Sequence, residues 1–225
     1  MFNKLAFRKL ACLAIATTIT ITAFSAVPSA HAATFTFNTD PFAGSNALIT
    51  PGRQVVGSEI SIPTFEFADD ILAFDSGVFD IPGGIDFFNG IASDIPLSGA
   101  NFIVLRTFDG DGDLLNGNQL NAGSAANLIA DRITRTGAGF FVYFNSGLDL
   151  PRLVYSTNLD SNDADLKVLA RFTGLTGARG REAMAEFSTY NVASVPEPES
   201  WAMMIAGFGL VGAVARRRRM LSALA

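Results

Sequence analysis

Apolar and polar residues alternate with a period of two along much of the stretch between residues 33 and 195. Thr34-Phe35-Thr36-Phe37 alternates strictly, as do Ile60-Ser61-Ile62 and Phe65-Glu66-Phe67 on either side of Pro63. Residues 166–172 send Leu166, Val168, Ala170 and Phe172 to one face, the pattern of a half-buried strand. Residues 102–105, 140–144 and 153–155 are apolar on both faces, as central strands are. Gly, Asn and Asp separate these runs. Two stretches read as helix: residues 124–133, with Ser124 as candidate N-cap, and residues 85–92. Strands at about ten-residue spacing, with turn residues between them, predict a mainly β domain, an antiparallel β-sandwich with one or two short helices.

The two ends follow other patterns. Lys4, Arg8 and Lys9 precede an apolar stretch from Leu10 to Ala23, and Pro28-Ser29-Ala30-His31-Ala32 follows it. A positive segment, an apolar segment and small residues at Ala30 and Ala32 make a secretory signal peptide over residues 1–32, cut between Ala32 and Ala33. Arg8-Lys9 is not a twin-arginine pair, so the Sec machinery and signal peptidase are the expected partners. Cys12 lies at the start of the apolar run and is a plain member of it. His31 leaves with the leader.

At the other end, Pro196-Glu197-Pro198 forms an extended spacer that refuses helix. Trp201 to Ala215 is uncharged, and Arg216, Arg217, Arg218 and Arg219 follow. As a helix, those fifteen residues span about 22 Å against a hydrocarbon core of roughly 30 Å, a marginal membrane anchor. Trp201 suits one interface, and the arginines favour the cytoplasmic side. The order of Pro-Glu-Pro, a Trp-led apolar run and an arginine cluster resembles the PEP-CTERM protein-sorting signal in its PEPxxWA variant. The resemblance implies recognition by an exosortase, an integral-membrane enzyme like a Cys protease, in Gram-negative bacteria that make exopolysaccharide. It casts Pro196, Glu197 and Pro198 as the recognition motif, Trp201 to Ala215 as a transient inner-membrane helix, and Arg216 to Arg219 as the cytoplasmic stop. The expected organisation is a signal peptide at 1–32, an exported β-rich domain at 33–194, a sorting signal at 195–219 and a short cytoplasmic tail at 220–225.

Removing the ends changes the chemistry on offer. They hold seven of the 16 basic and two of the 21 acidic residues, together with the lone Cys, His and Trp; residues 33–195 keep nine basic and 19 acidic, a net charge of −10. A body without Cys or His has no disulfide, no Cys- or His-ligated metal and no His-dependent triad. Its acidity argues against nucleic acid as a partner. Sixteen of the 20 Phe fall in it, a composition that suits packing better than the Trp and Tyr platforms of sugar-binding faces.

What remains is oxygen chemistry. Asp109-Gly110-Asp111-Gly112-Asp113 can aim Asp109, Asp111 and Asp113 at one hard cation, and calcium is the candidate, although Leu114 and Leu120 stand where an EF-hand needs Gly and Glu. The competing reading is a hairpin turn. Asp160-Ser161-Asn162-Asp163-Ala164-Asp165 is a second acidic loop with the same two readings. The body's glutamates, Glu59, Glu66, Glu182 and Glu186, form no evident acid/base pair in sequence. Arg132, Arg135, Arg179 and Arg181 are expected on solvated surface, and Lys167 is expected to point to solvent. The sequence therefore predicts a non-catalytic structural or adhesive protein of the cell surface or extracellular matrix, linked to exopolysaccharide. The alternatives are a calcium-stabilised glycan-binding module and a carboxylate-dependent glycan hydrolase.

Overall fold

The computed structural model describes residues 32–107, 120–135, 137–195 and 203–211. Among the described residues, ten strands run in the order β1 (Thr34–Phe37), β2 (Val55–Val56), β3 (Ile60–Ile62), β4 (Ile71–Asp75), β5 (Phe87–Gly90), β6 (Phe102–Leu105), β7 (Gly139–Asn145), β8 (Leu150–Ser156), β9 (Leu166–Phe172) and β10 (Val192–Val195). Helix α1 (Ala122–Ala130) lies between β6 and β7, helix α2 (Gly177–Ala183) follows β9, and residues 203–211 are helical.

The strands form two sheets, and neither is antiparallel throughout. A small sheet has the order β1-β4-β10 with both pairings parallel. A seven-stranded sheet has the order β2-β9-β8-β7-β6-β5, with β3 also on β9. Its β2–β9, β3–β9, β5–β6 and β6–β7 pairings are parallel; only β8 runs against its neighbours. The fold is mixed α/β, so the antiparallel sandwich expected from the strand spacing is wrong. Alternation reports which face a residue takes but not the direction of its neighbour. The relevant clue was the fully apolar runs, since parallel strands are covered on both faces.

That double covering is seen here. Phe102 and Val104 of β6, Phe140 and Val142 of β7, and Leu153 and Tyr155 of β8 enter one core with Phe37, Leu72 and Phe74 of the small sheet. Ile103, Leu105, Phe141, Tyr143 and Val154 enter a second core with Ala122, Ala125, Ala126 and Ile129 of α1. The layers are therefore small sheet, large sheet and helix. Phenylalanines join the two sheets: the rings of Phe74 and Phe140 are 4.0 Å apart, and Phe74 also stacks on Phe37 at 5.2 Å.

Several local expectations change. Leu166 and Val168 enter the helix-side core while Leu169, Ala170 and Phe172 enter the other. The pairing steps from Leu153↔Ala170 to Val154↔Val168, so Leu169 is an extra residue that flips the faces beyond it. Helix α1 starts before Ser124: Asn121 is the N-cap, accepting from the Ser124 amide at 3.0 Å, while Ser124 Oγ accepts from the Asn121 amide. Residues 85–92 contain β5 instead of a helix, because Phe87 and Phe88 pair with β6. Phe65-Glu66-Phe67 lies outside any strand, yet both rings pack with Phe187. Strands β4 and β10 have no counterpart in the sequence reading.

Candidate functional site

The small sheet begins just after the expected signal-peptidase cut and ends at Val195, the residue before Pro196. β1 begins one residue after the expected signal-peptidase cut, with Ala32 exposed and Ala33 half-buried. The Ala33 amide donates to Asp70 Oδ1 at 2.7 Å, and the Glu66 amide donates to Asp70 Oδ2 at 2.9 Å. Asp70 is only 3% exposed and directly precedes β4. Ala30 lies outside the described residues.

On the other flank, β10 runs parallel to β4 up to Val195, opposite Asp75. The Val195 carbonyl accepts from the Ser76 amide at 3.1 Å and from its hydroxyl at 3.3 Å. Asn191 sets the start of β10. Its Nδ2 donates to the Phe67 and Asp70 carbonyls at 2.9 and 3.0 Å, and its Oδ1 accepts from the Ser188 amide at 2.9 Å. No residue intervenes between this strand and Pro196. Pro196, Glu197, Pro198, Trp201 and Arg216 to Arg219 lie outside the described residues. Within the expected transient helix, residues 203–211 are helical, and Met203, Ile205, Phe208 and Leu210 are exposed. No helix among the described residues is long and apolar enough to cross a membrane.

A second polar group sits at the carboxyl end of the large sheet. Tyr143, Arg152 and Arg171 occupy one row across β7, β8 and β9. Arg152 Nη2 is 2.8 Å from Glu59 Oε1, and Asn145 Nδ2 donates to the Tyr143 hydroxyl at 3.0 Å. Burial works against ionisation of Glu59. Its own backbone hydrogen bond and the charges of Arg152 and Arg171 outweigh this and hold the carboxyl below its usual value. Burial pushes the Tyr143 phenol up. Glu59 is therefore committed to an ion pair, while Glu66, Glu182 and Glu186 are exposed. Asp109, Asp111 and Asp113 lie outside the described residues. No group of three or more candidate ligands for a metal ion occurs among the described residues.

The second acidic loop is held by a cation of the chain itself. The Arg53 guanidinium donates to the carbonyls of Ser161, Ala164 and Gly123 and to Asn127 Oδ1, at 2.6–3.1 Å. Burial lowers its affinity for the proton, and Asp163 and Asp165 raise it in return. Asp165 accepts from the Leu48 and Gln54 amides, both at 2.6 Å. Arg53, Asp70 and Asn191 were absent from the sequence reading; their only signal was a polar residue beside an apolar run. Two arginines expected on open surface are also engaged. Arg135 pairs with Asp86, and Arg181 lies 3.7 Å from Asp149 and over the Phe144 ring. Lys167 reaches the Gly57 carbonyl.

Beyond β10, the last strand, the sequence carries a Pro-Glu-Pro spacer and an apolar segment, the arrangement of a sorting signal that marks an exported, cell-surface protein. Residues 194–219 match the family model of the PEP-CTERM protein-sorting motif, so the chain is an exosortase substrate. The match starts at Ser194, inside β10, and ends at Arg219. Neither the curated proteins nor the solved structures contain a match to this chain.

Proposed function

We propose that the mature body is a non-catalytic structural or adhesive component of the Gram-negative cell surface or extracellular matrix, associated with exopolysaccharide. The supporting observation is how the body uses its surfaces. Both faces of the large sheet are filled, by the small sheet on one side and by α1 on the other, which leaves loops and sheet edges for outside contacts. Before processing, the segment from Trp201 to Ala215 holds the chain at the inner membrane. The test is a glycan array and cosedimentation with purified exopolysaccharide, using the mature exported protein. Saturable retention supports the reading, and a mature protein that retains no polysaccharide, or that cleaves one, sinks it.

A calcium-stabilised glycan-binding module is the second reading. It is favoured by the alternation of Asp109, Asp111 and Asp113 with glycine, which puts three carboxylates in one short segment. It expects calcium to raise the melting temperature of the mature protein, and substitution of Asp109, Asp111 and Asp113 by Asn to abolish that rise. Identical melting in millimolar calcium and in EGTA removes it.

A further inference from the structure

The Asp70 carboxylate is 3% exposed, and no Lys or Arg among the described residues forms an ion pair with it. A buried carboxylate without a cation is costly unless its environment supplies one. Its nearest donor is the backbone nitrogen of Ala33, at 2.7 Å. That nitrogen is the atom a cut between Ala32 and Ala33 would free. We propose that signal-peptide removal turns the Ala33 nitrogen into an ammonium group that ion-pairs with Asp70, so that maturation of the N-terminus locks β1 onto β4.

The step is a hydrolysis. Water adds across the Ala32–Ala33 peptide bond, the carboxylate departs with the leader, and the amine left on Ala33 takes up a proton. In the precursor, the Ala33 nitrogen is a neutral amide with one hydrogen to give. In the mature chain it is a charged donor with three hydrogens, and charge-assisted bonds are roughly twice as strong as neutral ones. The register is already set for it: the Ala33 carbonyl accepts from the Ile71 amide at 2.9 Å, and Thr34 pairs with Ile71. The other groups around Asp70 favour a cation. Glu66 and Asp69, on its own loop, are exposed carboxylates, and neither β1 nor β10 carries a titratable side chain. Asn191, packed beneath, gives its amide hydrogens to the Phe67 and Asp70 carbonyls and not to the carboxylate.

The pairing depends on the cut falling after Ala32, so its test reads the cut and the pair separately. Three full-length chains are exported and purified in mature form: the natural sequence, Asp70→Asn, and a chain with Gly-Ser inserted between Ala32 and Ala33. The insertion restores an ordinary peptide nitrogen at Ala33 and leaves Asp70 intact. Mass spectrometry gives each N-terminus, and melting is followed from neutral to alkaline pH. An α-amino group ordinarily titrates at about 7.7–8.0, and a carboxylate partner raises this value in the folded state. The extra stability is therefore complete below pH ~7.7 and is lost as pH rises through the folded value. The natural chain should melt about 2–4 °C above the insertion chain at neutral pH and converge with it in alkali. Its α-amine should also react more slowly with an amine-directed reagent at neutral pH. An N-terminus other than Ala33 overturns the proposal by removing the ammonium. An N-terminus at Ala33 with melting curves that coincide at every pH overturns it by showing that the pair contributes nothing.

Discussion

Glu59 and Arg152 face each other at 2.8 Å with each side chain only 15% exposed, the most enclosed ion pair among the described residues. Removing one member of such a pair strands the other, so Glu59→Gln is expected to cost about 2–3 kcal/mol, below the 3–5 kcal/mol of fully buried pairs. Arg171, beside Arg152 in the same row, adds to the cost. The carboxyl of Glu59 is held below its ordinary 4.5 in the folded state. Its contribution is therefore complete above pH 4.5 and disappears as pH falls through the lower folded value. Acid titration of the melting temperature should show a smaller drop below pH 4.5 in Glu59→Gln than in the natural protein; equal drops would dissociate Glu59 from the acid response.

The Arg53 guanidinium ties the 48–54 loop to α1 and to the 160–165 turn through four hydrogen bonds. A lysine keeps the charge and loses the planar fork, so Arg53→Lys should lose about 1–2 kcal/mol and Arg53→Met about 2–3 kcal/mol. Denaturant unfolding measures both. Equal losses would mean that the fork, and not the charge, holds the loops.

Asn191 gives two hydrogens to backbone carbonyls and accepts from the Ser188 amide and hydroxyl. Asn191→Asp replaces the donating amide with an oxygen aimed at two carbonyl oxygens. It should destabilise more than Asn191→Ala, which is expected to cost about 2 kcal/mol through unpaired buried groups. The local readout is amide exchange in β10, which should quicken before the rest of the body loosens.

Gly174 follows β9 where a Cβ would meet the Pro63 carbonyl oxygen at 2.0 Å. Backbone cannot swing aside as a side-chain tip can, so Gly174→Ala should cost about 2–3 kcal/mol by overpacking. Gly44→Ala is the contrast. Nothing lies near its Cβ, and the penalty there comes from a φ of 73°, about 1 kcal/mol. Thermal melts of the two variants separate contact from conformation.

Legibility in the sequence followed the range of the forces involved. β1 and β3 were readable because faces are set by neighbouring residues, and β9 was found with its bounds intact. Its face assignment failed at Leu169 because a bulge depends on the partner strand. Strand direction is likewise a property of two distant segments, so Thr34↔Ile71 and Val192↔Leu72 were invisible, and with them the small sheet. The C-terminal end was the most legible part because sorting machinery reads short linear patterns. The family match at 194–219 agrees with the expected bounds of 195–219 to within one residue. Arg53 and Asp70 carry no local signature because key partners of each, such as Ser161 and Ala33, lie more than thirty residues away.

The placement of β10 bears on the timing of export. Asn191 closes onto Asp70 across 121 residues of chain, and the strand it starts is the last of the body. In a chain threaded from its N-terminus, β1 and β4 meet early, whereas the third strand arrives only when nearly everything has crossed. Ser194 and Val195 belong both to that strand and to the sorting match. The same few residues thus finish the sheet and lead into the sorting motif, so a chain exported from its N-terminus would complete its body just as that motif follows.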